Sequence, residues 1–451
     1  MKIVIVGGGK VGETICGELS DSQDIVLIDN DPQVIENIFS QYDIQAVVGN
    51  GANVNVQMEA TVADSDIFLA VTNSDELNIV SSIIAKKLGA KYTIARVRNP
   101  EYHMSVDFIK TSLGITSMIN PEEESAEVIS EILKFPTAQG IESFAGGEVN
   151  IVEITVEADS FIKDMTLRDF GESFQGRLLV CIVERGDDVF IPKGDTRIKE
   201  NDKIYVTGNY EDLDRFYTSL RKYNEPVKSV LIVGGGRLAY YLTKKLLKRK
   251  VDVKIIEIDR QSAEELSREF PEIIVVSADG TDQDILEDEG ISEYDACIAL
   301  TGIDEENIII SIYAKHMNVK KAIAKVNRTS MLKILDHVGL DTIITPKGII
   351  ADKIIRFVRS ISSTSDSAVQ KLYKLADRRV EAMEFEAGKT FKGQNIRLAE
   401  LNILDNTIIA IIFRDGELIF PGGNDKIMPK DRVVLVTTHK NIIDLDDIVI
   451  E

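Results

Sequence analysis

The chain has 451 residues, of which 44% are hydrophobic and 28% charged, a balance typical of an ordered protein with several domains. Its 52 basic residues against 74 acidic ones give a formal charge of −22, which argues against nucleic acid or an anionic membrane as a direct partner. The three cysteines have no close partner in the sequence, which excludes a disulfide framework and favours the reducing cytosol. No apolar run approaches the roughly 18 residues of a membrane span, so we expect neither secretion nor membrane insertion.

The sequence contains one unit twice. The stretch IVIVGGGKVGE at residues 3–13 is matched by VLIVGGGRLAY at residues 230–240. Further along, residues 66–89 match residues 295–318 without a gap. An internal duplication therefore covers nearly the whole chain.

Each half opens with short runs of Val, Ile and Leu separated by stretches of helical period. This pattern predicts a doubly wound, Rossmann-like α/β domain with a parallel sheet in each half. The predicted strands end near Val6, Asp29, Val48, Ala70 and Ala95 in the first half, and near Val233, Glu257, Ser277, Leu300 and Ala324 in the second. Ligands bind at the carboxyl ends of such strands, so a site is expected there.

A matched helix follows each α/β domain. Residues 119–133 and 344–358 place Asn or Thr before Pro, which is a signal for a helix start. Glu122, Glu123 and Glu124 are expected to complement the helix dipole rather than to bind a metal. The apolar faces of both helices require burial, either within the chain or against a second subunit.

Beyond each helix and a polar linker, the hydrophobic period changes to two, with tight turns. Residues 189–208 match residues 418–438 in this pattern, which predicts a small α+β domain in each half. The predicted order is therefore large, small, large, small. The predicted domains span residues 1–119, 138–224, 227–345 and 367–451.

The first glycine turn is a complete GxGxxG between a predicted strand and a predicted helix. Gly7, Gly9 and Gly12 suit a tight turn, close approach to a pyrophosphate and close helix packing, respectively. Asp29 ends the next strand, where a carboxylate accepts hydrogen bonds from ribose hydroxyls and repels a 2′-phosphate. This context favours a nucleotide site over glycines that serve packing alone.

The second glycine turn repeats the arrangement with Gly234, Gly236 and Ala239, followed by Glu257. Small residues also match at other strand ends and are expected to line adenosine pockets: Asn50, Gly51, Thr72 and Asn73 in the first half, and Asp279, Gly280, Thr301 and Gly302 in the second. Arg98 is either a phosphate ligand or an exposed arginine, and its counterpart is Asn327. The two sites are therefore expected to differ in charge.

Neither half shows a repeated catalytic group. The histidines have no counterpart in the other half: His103, His316, His337 and His439. Cys16 lies one turn into the helix after the glycine loop, where a packed core thiol is expected. The sequence predicts no metal site and no enzyme.

Tandem glycine-turn domains, each followed by a helix and a small β-rich domain, resemble the regulators of potassium conductance, or RCK domains, as arranged in Trk-type potassium uptake regulatory subunits. The resemblance covers essentially the whole chain and rests on the duplicated order. It implies RCK N-terminal domains at 1–119 and 227–345, and RCK C-terminal domains at 138–224 and 367–451.

The resemblance also implies a function and a partner. A homo-oligomeric ring, tetrameric in the family, would sit on the cytoplasmic side of a transmembrane Trk-type potassium transporter as a peripheral subunit, and NAD, NADH, ATP or ADP would shift its shape. The implied binding residues are Gly7, Gly8, Gly9, Lys10, Val11, Asp29, Thr72, Asn73 and Arg98, and in the second half Gly234, Gly235, Gly236, Arg237, Leu238 and Glu257. Asn327 departs from the family's arginine.

Two other classes of function remain open at this point. An NAD-dependent oxidoreductase would need an acid or base that the sequence does not show. A redox-sensing transcriptional repressor would need a basic helix-turn-helix, whereas the chain ends in the acidic segment DLDDIVIE.

Overall fold

The computed structural model describes residues 1–99, 102, 112–134, 141–144, 149–174, 177–220, 227–328, 340, 342–362, 369–376, 379–440 and 442–450. The chain divides into two compact units, which we call the large unit and the small unit. The large unit comprises Met1–Ser130 and Val227–Ile355, and the small unit comprises Glu131–Pro226 and Arg356–Glu451. The large unit thus holds both α/β domains and the small unit both β-rich domains. The expected boundaries near residues 138, 225 and 367 lie outside the described residues and stay predictions.

The first α/β domain is built on a six-stranded parallel sheet in the order β3-β2-β1-β4-β5-β6. Its elements are β1 (Lys2–Val6), α1 (Lys10–Leu19), β2 (Asp24–Asp29), α2 (Pro32–Phe39), β3 (Gln45–Val48), α3 (Val54–Glu59), β4 (Ile67–Ala70), α4 (Asp75–Leu88), β5 (Tyr92–Arg96), β6 (Ser117–Ile119) and α5 (Pro121–Ile132). This order confirms the doubly wound fold. Strand β6 was not predicted, because three residues are too few to show a period.

The first small domain is an antiparallel five-stranded sheet with two short helices, in the order β10-β9-β11-β8-β7. Its elements are β7 (Ile141–Phe144), β8 (Val149–Thr155), α6 (Leu167–Ser173), β9 (Leu179–Arg185), β10 (Asp188–Phe190), β11 (Lys203–Gly208) and α7 (Tyr210–Ser219). The predicted α+β domain is confirmed.

The second α/β domain repeats the first, with the parallel order β14-β13-β12-β15-β16-β17. Its elements are β12 (Ser229–Val233), α8 (Arg237–Lys248), β13 (Asp252–Glu257), α9 (Arg260–Glu269), β14 (Ile274–Ser277), α10 (Gln283–Asp288), β15 (Ala296–Ala299), α11 (Asp304–His316), β16 (Lys321–Lys325), β17 (Ile343–Ile344) and α12 (Pro346–Ser362). The predicted strand ends agree with the structure to within one residue in both halves.

The second small domain has the same antiparallel topology, read as β21-β20-β22-β19-β18. Its strands are β18 (Val369–Leu375), β19 (Val380–Glu386), β20 (Thr407–Arg414), β21 (Glu417–Ile419) and β22 (Arg432–Thr437). The two small domains share one apolar core, in which Cys181 and Ile182 of the first pack with Val380 and Ala410 of the second.

Helices α5 and α12 tie the two α/β domains together within the large unit. Glu124 on α5 pairs with Lys353 on α12, and Glu127 on α5 pairs with Lys245 on α8. Five residues of the two apolar faces are buried within the chain, and a sixth, Phe357, is half-buried: Ile129, Ile132, Leu133, Ile350 and Ile354 are the buried ones. Most of both faces is therefore covered without a second subunit.

Candidate functional site

The first glycine loop turns the chain sharply from β1 into α1. Gly7 has φ +106, and a Cβ there would lie 3.0 Å from the backbone nitrogen of Thr72. A Cβ on Gly12 would lie 2.0 Å from the carbonyl oxygen of Gly7, so helix and loop approach too closely for any side chain. A Cβ on Gly9 would meet no protein atom within 4 Å. Gly9 therefore faces open space, where a ligand can approach the backbone.

The second loop has the same geometry. Gly234 has φ +101, and a Cβ there would lie 2.9 Å from the carbonyl carbon of Leu300. A Cβ on Gly236 would again meet nothing within 4 Å, and Ala239 is fully buried at the third position of the fingerprint. The loops are therefore structural duplicates.

An acidic side chain at the end of the next strand holds each loop. Asp29 accepts hydrogen bonds from the backbone nitrogens of Gly8 (2.6 Å) and Asp31 (2.9 Å). Glu257 accepts from the nitrogens of Gly235 and Asp259, the latter at 2.8 Å. Both carboxylates are half-buried and keep lone pairs for further donors.

A cavity of about 580 Å³, the first cavity, opens at the carboxyl edge of the first sheet and has the size of a small-molecule site. Nine of the residues predicted for this site line it: Gly7, Gly9, Lys10, Val11, Asp29, Asn50, Gly51, Thr72 and Asn73. Gly8 and Arg98 are not among the described residues of its lining.

Arg98 is held away from the first cavity by acidic and backbone partners. Its Nε lies 3.5 Å from Oδ1 of Asp75, and its Nη2 donates to the carbonyl oxygen of Asn73. The guanidinium that does line the cavity belongs to Arg96, which is only 8% exposed. Phosphate binding by Arg98 therefore stays a prediction, and Arg96 is a further arginine at this strand end that the sequence did not single out as a ligand.

Arg96 carries a poorly compensated charge. Its Nε is buried and has no hydrogen-bond partner among the described residues, and its Nη1 makes one long contact of 3.4 Å to the carbonyl oxygen of Thr72. Burial, followed by the nearby Arg98, lowers the pKa of Arg96, and Glu122 and Asp75 act in the opposite direction. A buried cation of this kind favours an anionic ligand.

Lys347, at the start of α12 in the second half, also lines the first cavity. Burial and the neighbouring charges of Arg96 and Lys10 lower the pKa of Lys347, while Asp304 opposes them. Lys347 was not predictable from the sequence, because its position depends on how the two α/β domains pack.

Two buried asparagines hold the loops that follow β4 and β15. Asn78 accepts from the nitrogen of Thr72 at 2.9 Å and donates to the carbonyl oxygen of Arg96 at 2.9 Å. Asn307 makes the same two bonds to Thr301 (2.8 Å) and Lys325 (2.9 Å). The repeat of this asparagine in the matched segments was the signal that could have identified it as a positioning residue.

For Asp279, Gly280 and Thr301 the predicted place in an adenosine pocket stays a prediction, and the structure shows contacts of these residues within their loops. Asp279 accepts from the backbone nitrogen of Thr281 at 3.0 Å, as Asn50 does from that of Ala52 at 2.8 Å. A Cβ on Gly280 would lie 2.4 Å from Cγ1 of Val233, so close packing requires glycine there.

A smaller cavity of about 260 Å³, the second cavity, lies within the large unit beside the second glycine loop. Gly236, Arg237 and Leu238 line it, together with Asn327 and Lys325. Glu122 of α5, and Arg96 and Lys347 of the first cavity, also line it. The two cavities therefore share two cations.

The described residues hold no group of three or more side chains placed to bind a metal ion. Cys16 is buried in the core, as expected, and burial raises its pKa to about 12. His103 and His337 lie outside the described residues. No histidine, cysteine or tyrosine is among the described residues that line the first cavity.

Family models identify the domains. The TrkA-N domain matches residues 3–121 and 230–346, and the TrkA-C domain matches residues 151–221 and 387–449.

Named relatives match along the whole length. The chain is 30% identical to a Trk system potassium uptake protein TrkA homolog of Archaeoglobus fulgidus over 449 residues, covering 99% of this chain and 100% of the relative. It is 30% identical to TrkA homolog 2 of Methanosarcina mazei over 446 residues (96% and 97%), and 28% identical to TrkA of Vibrio alginolyticus over 449 residues (98% and 97%).

Solved structures share the fold. The GsuK channel aligns with a TM-score of 0.63 at 18% identity, covering 97% of this chain and 77% of that one. The GsuK channel bound to NAD aligns with a TM-score of 0.61 at 17% identity, with the same coverage. With both domain types matched twice and relatives aligned end to end, the chain belongs to the TrkA family of Trk system potassium uptake proteins.

Proposed function

We propose that this chain is the nucleotide-sensing regulatory subunit of a Trk-type potassium uptake transporter, and that it binds NAD, NADH, ATP or ADP in the first cavity. The observation that carries the proposal is the poorly compensated guanidinium of Arg96 in a nucleotide-sized cavity beneath an open glycine loop. The relatives named for potassium uptake and the fold shared with an NAD-bound channel support the same function.

The residues of the first cavity would contact both the ribose and the phosphates of a nucleotide. Asp29 would accept hydrogen bonds from ribose hydroxyls while its carboxylate stays held by Gly8 and Asp31. The backbone nitrogens at the start of α1 would donate to phosphate oxygens, helped by the positive end of the helix. A bound nucleotide would supply the phosphate charge that Arg96 lacks.

The site is suited to switching rather than to chemistry. Its lining offers hydrogen-bond donors, cations and the carboxylates of Asp29 and Asp31, which can hold a nucleotide by its ribose and phosphates. Lys347 belongs to the second half, so a ligand in this cavity touches both α/β domains. A ligand that binds one arrangement of these domains tenfold more tightly shifts their equilibrium by about 1.4 kcal/mol.

The proposed assembly is a ring, tetrameric as in the family, that acts at the inner face of the cell membrane through a transmembrane transporter. Among the described helices, none has the length and apolar character needed to cross a bilayer. Under the proposal, contact with the membrane therefore comes from the partner.

Potassium flux through the cognate Trk-type transporter in lipid vesicles tests the function. Flux is measured with and without this chain, in the presence of NAD, NADH, ATP or ADP, and with the transporter alone as the control. We expect the chain to change the flux by an amount that depends on the nucleotide. Equal flux under all four nucleotides and without nucleotide would refute the proposal.

A further inference from the structure

The start of α12 lies at the first cavity and the start of α5 lies at the second, and these two positions carry opposite charges. Lys347 is the second residue of α12 and lines the cavity beside the first glycine loop. Glu122 is the second residue of α5 and lines the cavity beside the second glycine loop. These two helix starts therefore bring a cation to the first cavity and a carboxylate to the second, and Arg96 of the first half lines the second cavity as well.

The first cavity brings a buried, poorly paired cation together with two others. Arg96 is more than nine-tenths buried, lines both cavities, and has an Nε with no hydrogen-bond partner among the described residues. Lys347 and Lys10 line the same cavity, whereas Asp29 and Asp31 lie towards the expected ribose end. Three cations around one space favour a ligand with several phosphate charges.

The second cavity differs from the first in how its charges are paired. Its lining includes Arg96, Arg237, Lys325 and Lys347 together with Glu122. Lys325, the counterpart of Arg96, already donates its Nζ to the carbonyl oxygen of Leu300 at 3.0 Å. Oε2 of Glu122 is buried without a hydrogen-bond partner among the described residues, which leaves its acceptor capacity facing this cavity. A carboxylate in this position opposes the approach of a phosphate.

We propose that Lys347 is a phosphate-binding residue that the second half contributes to the nucleotide site of the first half, and that Glu122 denies the second glycine loop the same ligand. The inference rests on the proposed nucleotide function and deepens it: the first site holds its nucleotide through the phosphates, and the two loops differ because α12 brings a cation to the first and α5 a carboxylate to the second. Binding at the first site then joins the glycine loop of one half to helix α12 of the other.

Calorimetric titration of the full-length chain with ATP, ADP and adenosine tests the role of Lys347. We expect Lys347→Gln to weaken ATP and ADP binding about tenfold, the size of one charge-assisted hydrogen bond, and to leave adenosine binding unchanged. Lys347→Arg should restore most of the affinity, because a cation returns. The control is Lys353→Gln. This change also removes a positive charge from α12, but Lys353 pairs with Glu124, so ATP affinity should stay unchanged.

The role of Glu122 is tested by stoichiometry in the same titrations. We expect Glu122→Lys to raise the number of ATP molecules bound per chain from one towards two. ATP affinity unchanged in Lys347→Gln, or adenosine weakened as much as ATP, would overturn the inference while leaving the proposed function intact. A wild-type chain that binds none of the three ligands would overturn both.

Discussion

The side-chain amide of Asn120 donates a buried hydrogen bond of 2.9 Å to the hydroxyl of Tyr241 and thereby joins the two halves of the duplication. Asn120 also caps α5, accepting from the backbone nitrogens of Glu122 (3.0 Å) and Glu123 (3.2 Å). One residue therefore starts the helix and anchors it to the other half. Burial raises the pKa of Tyr241 to about 12, so its hydroxyl keeps its proton at neutral pH.

Replacing Tyr241 with Phe should weaken the large unit. The change removes the acceptor of a buried amide, and we expect it to cost about 1 kcal/mol of unfolding free energy and to lower the midpoint of thermal unfolding by about 2–4 °C. Differential scanning calorimetry measures this shift. Tyr240→Phe is the control, because its hydroxyl bonds to Glu269 at an exposed site within the second half. Equal midpoints for Tyr241→Phe and the wild type would show that the bond adds no stability.

The duplicated α/β frame was predictable because its strands are buried on both faces and appear as continuous apolar runs. The strand ends at Val6, Asp29 and Glu257 were located correctly for this reason. Lys347 and the buried bond between Asn120 and Tyr241 were not predictable, since both depend on contacts between residues more than a hundred positions apart. Local periodicity carries no information about such contacts.

Replacing Gly9 with Val should abolish tight nucleotide binding without unfolding the chain. Gly9 has φ −66 and ψ −176, which any residue adopts, and a side chain there would meet no protein atom. It would instead fill the space above the helix start where we place the phosphates. We expect ATP affinity to fall tenfold or more, about 1.4 kcal/mol, in a calorimetric titration.

Gly236→Val is the matched comparison for this variant. Gly236 has φ −70 and ψ −174 and equally open surroundings, so the two substitutions impose the same backbone cost. Because Glu122 faces the second loop, we expect Gly236→Val to reduce the tightest ATP binding less than Gly9→Val does. A larger loss from Gly236→Val would assign the tight site to the second half.

The three thiols should be unreactive in the folded protein. Cys16, Cys181 and Cys297 are buried, and desolvation raises the pKa of each, to about 12 for Cys16 and Cys297. A raised pKa keeps the thiol protonated, whereas an unfolded cysteine ionises near pH 8.5. We expect a disulfide reagent at pH 8 to label none of them in buffer and all three in guanidinium. Rapid labelling of one thiol in buffer would contradict its burial.

The same pKa shifts predict how the free energy of unfolding changes as the pH rises. The folded thiols stay neutral while the unfolded ones ionise, so their contribution favours the folded state below about pH 8.5 and declines as the pH rises above it. A Cys16→Ala, Cys181→Ala, Cys297→Ala variant should lose less stability between pH 8 and pH 10 than the wild type loses. Urea unfolding at each pH measures the free energy of unfolding. An identical decline of this free energy between pH 8 and pH 10 in the two proteins would rule out this contribution.

An ion pair between a half-exposed arginine and a buried aspartate repeats in the two small domains, and we expect it to stabilise both. Asp202 is 1% exposed and accepts from Nε (2.8 Å) and Nη2 (2.7 Å) of Arg185, and Asp431 makes the same two bonds to Arg414. Both aspartates lie in the matched segments 189–208 and 418–438, but the sequence does not show their partners.

Asp202→Ala should therefore destabilise the small unit by about 2–3 kcal/mol, at the lower end for a broken buried pair because Arg185 remains 33% exposed. Asp431→Ala should cost a similar amount, since its geometry is the same. Urea unfolding followed by circular dichroism measures both. Glu264→Ala is the control, because it breaks an exposed pair with Arg260 and should cost less than about 0.5 kcal/mol. If Asp202→Ala cost no more than Glu264→Ala, burial of the pair would not be what makes it stabilising.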